Sequence, residues 1–136
     1  MSVYKSEFQQ LDHLKDKGLL VEEFFAATSN YKEDSFKKDF TDLSNEVMKL
    51  KGEEFKGILV DMRNFMYPAI PELQAWHKDE VYPKILEIGI NKMAIITSPD
   101  VFAAIAAEQT FDEYKGGTLE TMYFKNPEEA KEWLLS

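Results

Sequence analysis

The chain has 136 residues, 44% of them hydrophobic, a formal net charge of -9 and no cysteine. This length fits one domain, 1–136, with a core able to bury roughly two thirds of the unfolded surface. The missing cysteine excludes disulfides, thiol catalysis and cysteine-ligated zinc or iron–sulfur centres, and the acidic balance opposes nonspecific nucleic-acid binding.

The start, MSVYKSEF, lacks a basic segment followed by a long apolar run, and no apolar stretch approaches the roughly 20 residues of a membrane span. These features predict a soluble, cytoplasmic protein without membrane insertion. Residues 3–27 read as two strands around a Lys15–Gly18 turn, because Leu19, Leu20, Val21, Phe24 and Phe25 suit strands and the glycine suits a hairpin loop. Asn30 followed by Glu33 resembles a capping box. The stripe Phe36, Phe40, Leu43, Val47 and Leu50 then predicts an amphipathic helix ending near Gly52.

Ile58, Leu59 and Val60 form an apolar run without alternation that stops at Asp61 and Arg63. This pattern predicts a strand at about 55–62, covered on both faces as in a parallel sheet. A helix over about 71–88 starts at Pro71 and ends at Gly89, with Pro83 expected to kink or split it. Lys92–Thr97 reads as another buried strand, and Ser98-Pro99-Asp100 as the start of a further helix. The Gly116-Gly117 turn leads to a strand at about 119–124. Asn126-Pro127 then opens a last helix in which Ala130, Trp133 and Leu134 share a face. The predicted order is ββαβαβαβα, an α/β mixed sheet with an N-terminal β-hairpin and helices packed against the sheet.

The segment ILVDMRNF, Trp76 on the following helix, KMAIIT, and MYF followed by EEAKEWL resemble, in order and spacing, the SpoIIAA-like family of the STAS-like fold. The likeness covers about 30–135, and the hairpin agrees only in layout. It implies a binding domain rather than an enzyme, related to anti-sigma-factor antagonists and to lipid-carrying CRAL-TRIO domains. The antagonists carry a phosphorylated serine or threonine just after the central-strand aspartate. Here no serine or threonine occurs between Ser44 and Thr97, so that switch is not expected.

The loop Asn64–Pro71 is the first candidate site. Ligands of open α/β sheets sit beyond the carboxyl ends of the strands, and Phe65, Met66, Tyr67, Ala69 and Ile70 make this loop unusually apolar. Such a loop lines a pocket, meets a partner, or folds back as a lid on the core. Asp61 and Arg63 lie two apart and share a strand face. They form either an internal ion pair or a site in which Arg63 binds the acidic head of a ligand whose apolar body lies against Phe65, Tyr67 and Trp76. Trp76 at helical spacing from Leu73 also suits a plain core role.

His13 and His77 form no ligand pattern such as HExxH, so no metal and no cofactor are expected. A rival reading takes Asp61, Thr97 and Lys125 as the phosphoacceptor, hydroxyl and lysine of a receiver-like signalling domain, but Glu22-Glu23 falls inside a strand instead of supplying an Mg²⁺-binding acidic pair. A small enzyme is the remaining alternative. The expectation is a non-catalytic domain that binds a partner protein or a small apolar or anionic, lipid-like ligand at Asp61, Arg63, Phe65, Tyr67 and Trp76. Apolar loops also favour a homodimer.

Overall fold

The computed structural model describes residues 1–97, 105 and 119–136. The expected helix start at Ser98-Pro99-Asp100 and the Gly116-Gly117 turn lie outside the described residues. The protein is an α/β fold built on one six-stranded mixed sheet, whose spatial order follows the chain order β1 to β6. Strands β1 (Ser2–Lys5), β2 (Gln9–Leu14) and β3 (Leu19–Phe24) form an antiparallel meander. Strands β4 (Gly57–Asp61), β5 (Lys92–Ile96) and β6 (Glu120–Phe124) continue from β3 in parallel.

The N-terminal region differs from expectation by one strand. Ser6 Oγ accepts hydrogen bonds from the amides of Phe8 (3.1 Å) and Gln9 (3.3 Å). A hydroxyl that satisfies two successive backbone donors closes a tight turn, so the first predicted strand is divided into β1 and β2. The next turn is as read. Gly18 takes a φ of 68°, in the left-handed region that a residue with a Cβ rarely adopts.

After β3, a 3-10 helix (Ala26–Asn30) leads into α1 (Glu33–Met48). The helix cap lies two residues beyond the predicted Asn30. Ser35 Oγ accepts from the Lys32 amide at 2.8 Å, while Asn30 is occupied in the 3-10 turn. The apolar stripe performs as its spacing requires, with Phe36, Phe40, Leu43 and Val47 all buried. The second crossover is two helices, α2 (Pro71–Glu80) and α3 (Tyr82–Glu87), joined at Val81. Pro83 has no N–H to extend α2 but is at ease in the first turn of α3. The closing helix, α4 (Pro127–Leu135), is capped by Asn126 Oδ1, which accepts from the Glu129 amide at 2.9 Å.

Strand alternation sorts the side chains into two layers. Leu11, Leu20, Phe24, Ile58, Val60, Met93 and Ile95 join α1, α2 and α3 in the larger core. Leu19, Leu59, Ala94 and Ile96 face the other way and pack with Ala130 and Leu134 of α4. Close approach of α4 depends on Gly57, where a Cβ would stand 2.6 Å from the Leu134 side chain and 2.9 Å from the Lys92 carbonyl. No helix among the described residues is long and apolar enough to cross a membrane.

Candidate functional site

Between the larger face of the sheet and α1, α2 and α3 lies a cavity of about 70 Å³. By the volume of one water-sized sphere, it has room for roughly five such groups. Its walls are mostly apolar, with Phe36, Phe40 and Leu43 from α1, Ile58 and Val60 from β4, and Val81 and Ile85 from the second crossover. Residues with polar groups enter at few places: Glu22 from β3, Tyr67 from the loop after β4, Gln74 and His77 from α2, and Tyr82 from α3.

Glu22 is the least expected of these. It stands in register with Leu11 on one side and Val60 on the other, between Leu20 and Phe24 of its own strand face. Its position is 8% exposed, and Oε2 has no hydrogen-bond partner among the described residues. Loss of hydration, and secondarily the charge of Asp39, push the carboxyl up from its ordinary range to about 8. At neutral pH it therefore keeps its proton. His77 moves the other way: burial alone lowers its imidazole to about 4, so the ring is neutral. That ring meets Phe40 edge-on at 4.9 Å.

Asp39 sits beside this pocket on the buried face of α1. It accepts hydrogen bonds from Tyr4 Oη at 2.6 Å, Gln9 Nε2 at 2.8 Å and Tyr31 Oη at 2.5 Å. Three neutral donors satisfy its lone pairs, and no lysine or arginine side chain is bonded to it among the described residues. Desolvation and this carboxylate together raise the phenols of Tyr4 and Tyr31, desolvation being the larger cause.

The loop after β4 closes the cavity. Phe65 is buried and meets Phe24 edge-on at 4.8 Å, while Tyr67 lies against Tyr31 and Phe36 with centroid distances of 5.4 and 5.8 Å. Met62, Phe65, Tyr67 and Ala69 all contribute to the lining. Two side chains tie the loop down. The buried Thr28 hydroxyl accepts from the Met66 amide at 2.8 Å and lies 3.2 Å from the Asn64 carbonyl. Gln74 Nε2 donates to the Ala69 carbonyl at 2.9 Å. The apolar loop is thus folded back as a lid and also forms one wall of the cavity.

The residues expected to act together are divided by the sheet. Asp61 follows the parity of Leu59 and faces the α4 side, whereas Phe65 and Tyr67 join the larger core. Arg63 stays with Asp61: its Nη2 is 2.7 Å from Oδ2, its Nε is 3.0 Å from Oδ1, and its own amide also donates to Oδ1. This fork-on-carboxylate contact raises the guanidinium pKa further. Trp76 rests edge-on against Phe36 at 6.1 Å and does not line the cavity. Thr97 and Lys125 follow β5 and β6 on the same rim as Asp61, and the Thr97 amide donates to the Phe124 carbonyl at 3.2 Å.

Glu22 was missed from sequence because its role depends on where β3 sits. The signal was present in LLVEEF, where a carboxylate occupies the position between two inward residues, Leu20 and Phe24. It becomes readable once β3 is known to lie inside the sheet with β2 and β4 as neighbours. In comparison with known proteins, the chain matches no family model, no curated protein and no solved structure.

Proposed function

We propose that this protein is a non-catalytic binding domain that holds a small, mainly apolar molecule between its sheet and its helical layer. One observation carries the reading: an apolar cavity beneath a tethered lid, with a single buried carboxyl oxygen left without a partner. Cores are normally filled to crystal-like density and their polar atoms hydrogen-bonded. A void beside an unpaired polar atom fits a site whose occupant supplies what is missing.

The likeness of ILVDMRNF and its companion segments to the STAS-like, SpoIIAA-like family supports binding over catalysis. Engagement of Arg63 by Asp61, on the side away from the cavity, favours an apolar occupant over an anionic one. The receiver-like alternative would need Asp61 free to accept a phosphoryl group, and its carboxylate oxygens are taken up by Arg63.

Titration with xenon, a single apolar atom small enough for the cavity and dissolved under gas pressure, followed by amide chemical shifts, tests the reading. Saturable shifts are expected at Phe24, Leu43, Val60 and Ile85, and Val60→Phe should abolish them by filling the space while the fold is retained. Absence of saturable shifts in the wild type refutes the site.

A further inference from the structure

Within this site, we propose that Glu22 is the specificity determinant and that it selects a small aliphatic amine, bound as an ammonium ion against the carboxylate. The inference deepens the reading of the cavity as a ligand site and rests on it.

The geometry supplies one acidic anchor in a mainly apolar chamber. Glu22 is more than nine-tenths buried, borders the cavity and has an unpartnered Oε2. The charged and titratable groups around it leave a place for a cation. Asp39 on α1 carries an acceptor network made wholly of neutral donors, and its charge is felt at both Glu22 and Tyr31. His77 on α2 is neutral at pH 7, and Tyr82 on α3 and Tyr67 of the loop each carry a phenol whose pKa burial raises. On neighbouring β2, Gln9 is bonded to Asp39, and His13 packs on Phe55. No lysine or arginine lines the cavity among the described residues. An anion placed here would face the charge of Asp39 without a counter-ion, and that of Glu22 as well once its proton is lost, whereas an ammonium would meet the Glu22 carboxylate directly and Asp39 through the low-dielectric interior.

The protons balance simply. In the empty protein near pH 7, Glu22 is a neutral acid. On binding, the O–H proton leaves to solvent and the carboxylate so formed accepts hydrogen bonds from the entering ammonium. Association is therefore coupled to release of one proton, and it strengthens as pH rises through the value of the free carboxyl, about 8. It weakens again only when the ammonium itself deprotonates, near pH 10. The chamber volume limits the ligand to a short chain, for which n-butylamine is a suitable probe.

The experiment compares n-butylamine with n-butanol and butanoate by amide chemical-shift titration of the intact protein at pH 7 and pH 9. Butylamine should bind roughly tenfold tighter at pH 9 than at pH 7, the change expected for a free carboxyl titrating near 8. Butanol should show no such dependence, and butanoate should bind weakest. The isosteric Glu22→Gln, checked for an unchanged spectrum, should erase the preference for the amine and the pH dependence while still binding butanol. Equal binding of butanol and butylamine, or a preference that survives Glu22→Gln, overturns the assignment to Glu22 and leaves the apolar site standing. Failure of every probe overturns both.

Discussion

Arg63 clamps the carboxylate of Asp61 at the end of β4, with its Nη2 2.7 Å from Oδ2 and its backbone amide 3.0 Å from Oδ1. The pair is asymmetric, since the Asp61 side chain is 11% exposed and that of Arg63 49%. Removing the exposed cation should therefore be mild. Arg63→Ala is expected to cost about 1 kcal/mol or less, the range of exposed pairs. Asp61→Ala should cost about 1–3 kcal/mol, because it also strips an acceptor from the turn amide. Urea melts of the two variants should rank in that order, and the reverse ranking would show that the aspartate does not organise this turn.

The same clamp predicts silence toward phosphoryl donors. Acetyl phosphate should leave no label that depends on Asp61. A mass increase of one phosphoryl group in the wild type, lost in Asp61→Asn, would revive the receiver-like reading.

Thr28 holds the lid through the Met66 amide. Thr28→Val keeps the shape but leaves that amide without its acceptor, at an expected cost of about 1–3 kcal/mol. Hydrogen exchange should accelerate at Met66 more than in β4 or β5. Uniform acceleration across the sheet would mean that the lid opens only with global unfolding.

Gly57 marks the closest approach of α4 to the sheet. Gly57→Ala places a methyl against both Leu134 and the Lys92 carbonyl, so a loss of about 1–3 kcal/mol is expected from overpacking. Leu134→Ala opens a cavity of its own, so relief of the side-chain clash should appear as a double-variant loss smaller than the sum of the two single losses. A Gly57→Ala protein with the wild-type melting temperature would show that the helix stands farther off.

Stability should also report the proton on Glu22. The folded carboxyl keeps its proton up to about pH 8, while an ordinary glutamate releases it near 4.5. The stabilising contribution is thus complete below 4.5 and lost as pH rises through 8. His77 acts oppositely, because its folded value of about 4 lies below the ordinary 6.5. Its contribution is present above 6.5 and lost as pH falls through 4. Between about pH 7 and 8 the Glu22 slope therefore dominates, at about 1 kcal/mol per pH unit. Denaturation at those two pH values should show the wild type losing stability and Glu22→Gln holding level. A variant as steep as the wild type would place the titrating group elsewhere.

Much of the framework was legible because it follows from local chemistry. The run Ile58–Val60 had to be covered on both faces, the stripe from Phe36 to Val47 had to bury one side of a helix, and Pro83 had to interrupt another. Where local rules competed, the reading slipped by a few residues. Ser6 turned the chain early, and Ser35 took over the cap expected of Asn30.

The site depended on relations that no local window contains. Asp61 and Arg63 stand close in sequence to Phe65 and Tyr67, yet strand parity directs the pair toward α4 and the rings toward α1. Glu22 was an ordinary acidic residue until β2 and β4 closed on either side of β3 and three helices roofed it. Composition and periodicity settle which segments become strands and helices, since those preferences act over a few residues. Which carboxyl loses its water is decided by long-range pairing, because desolvation is a property of everything packed around a group and not of its neighbours in the chain.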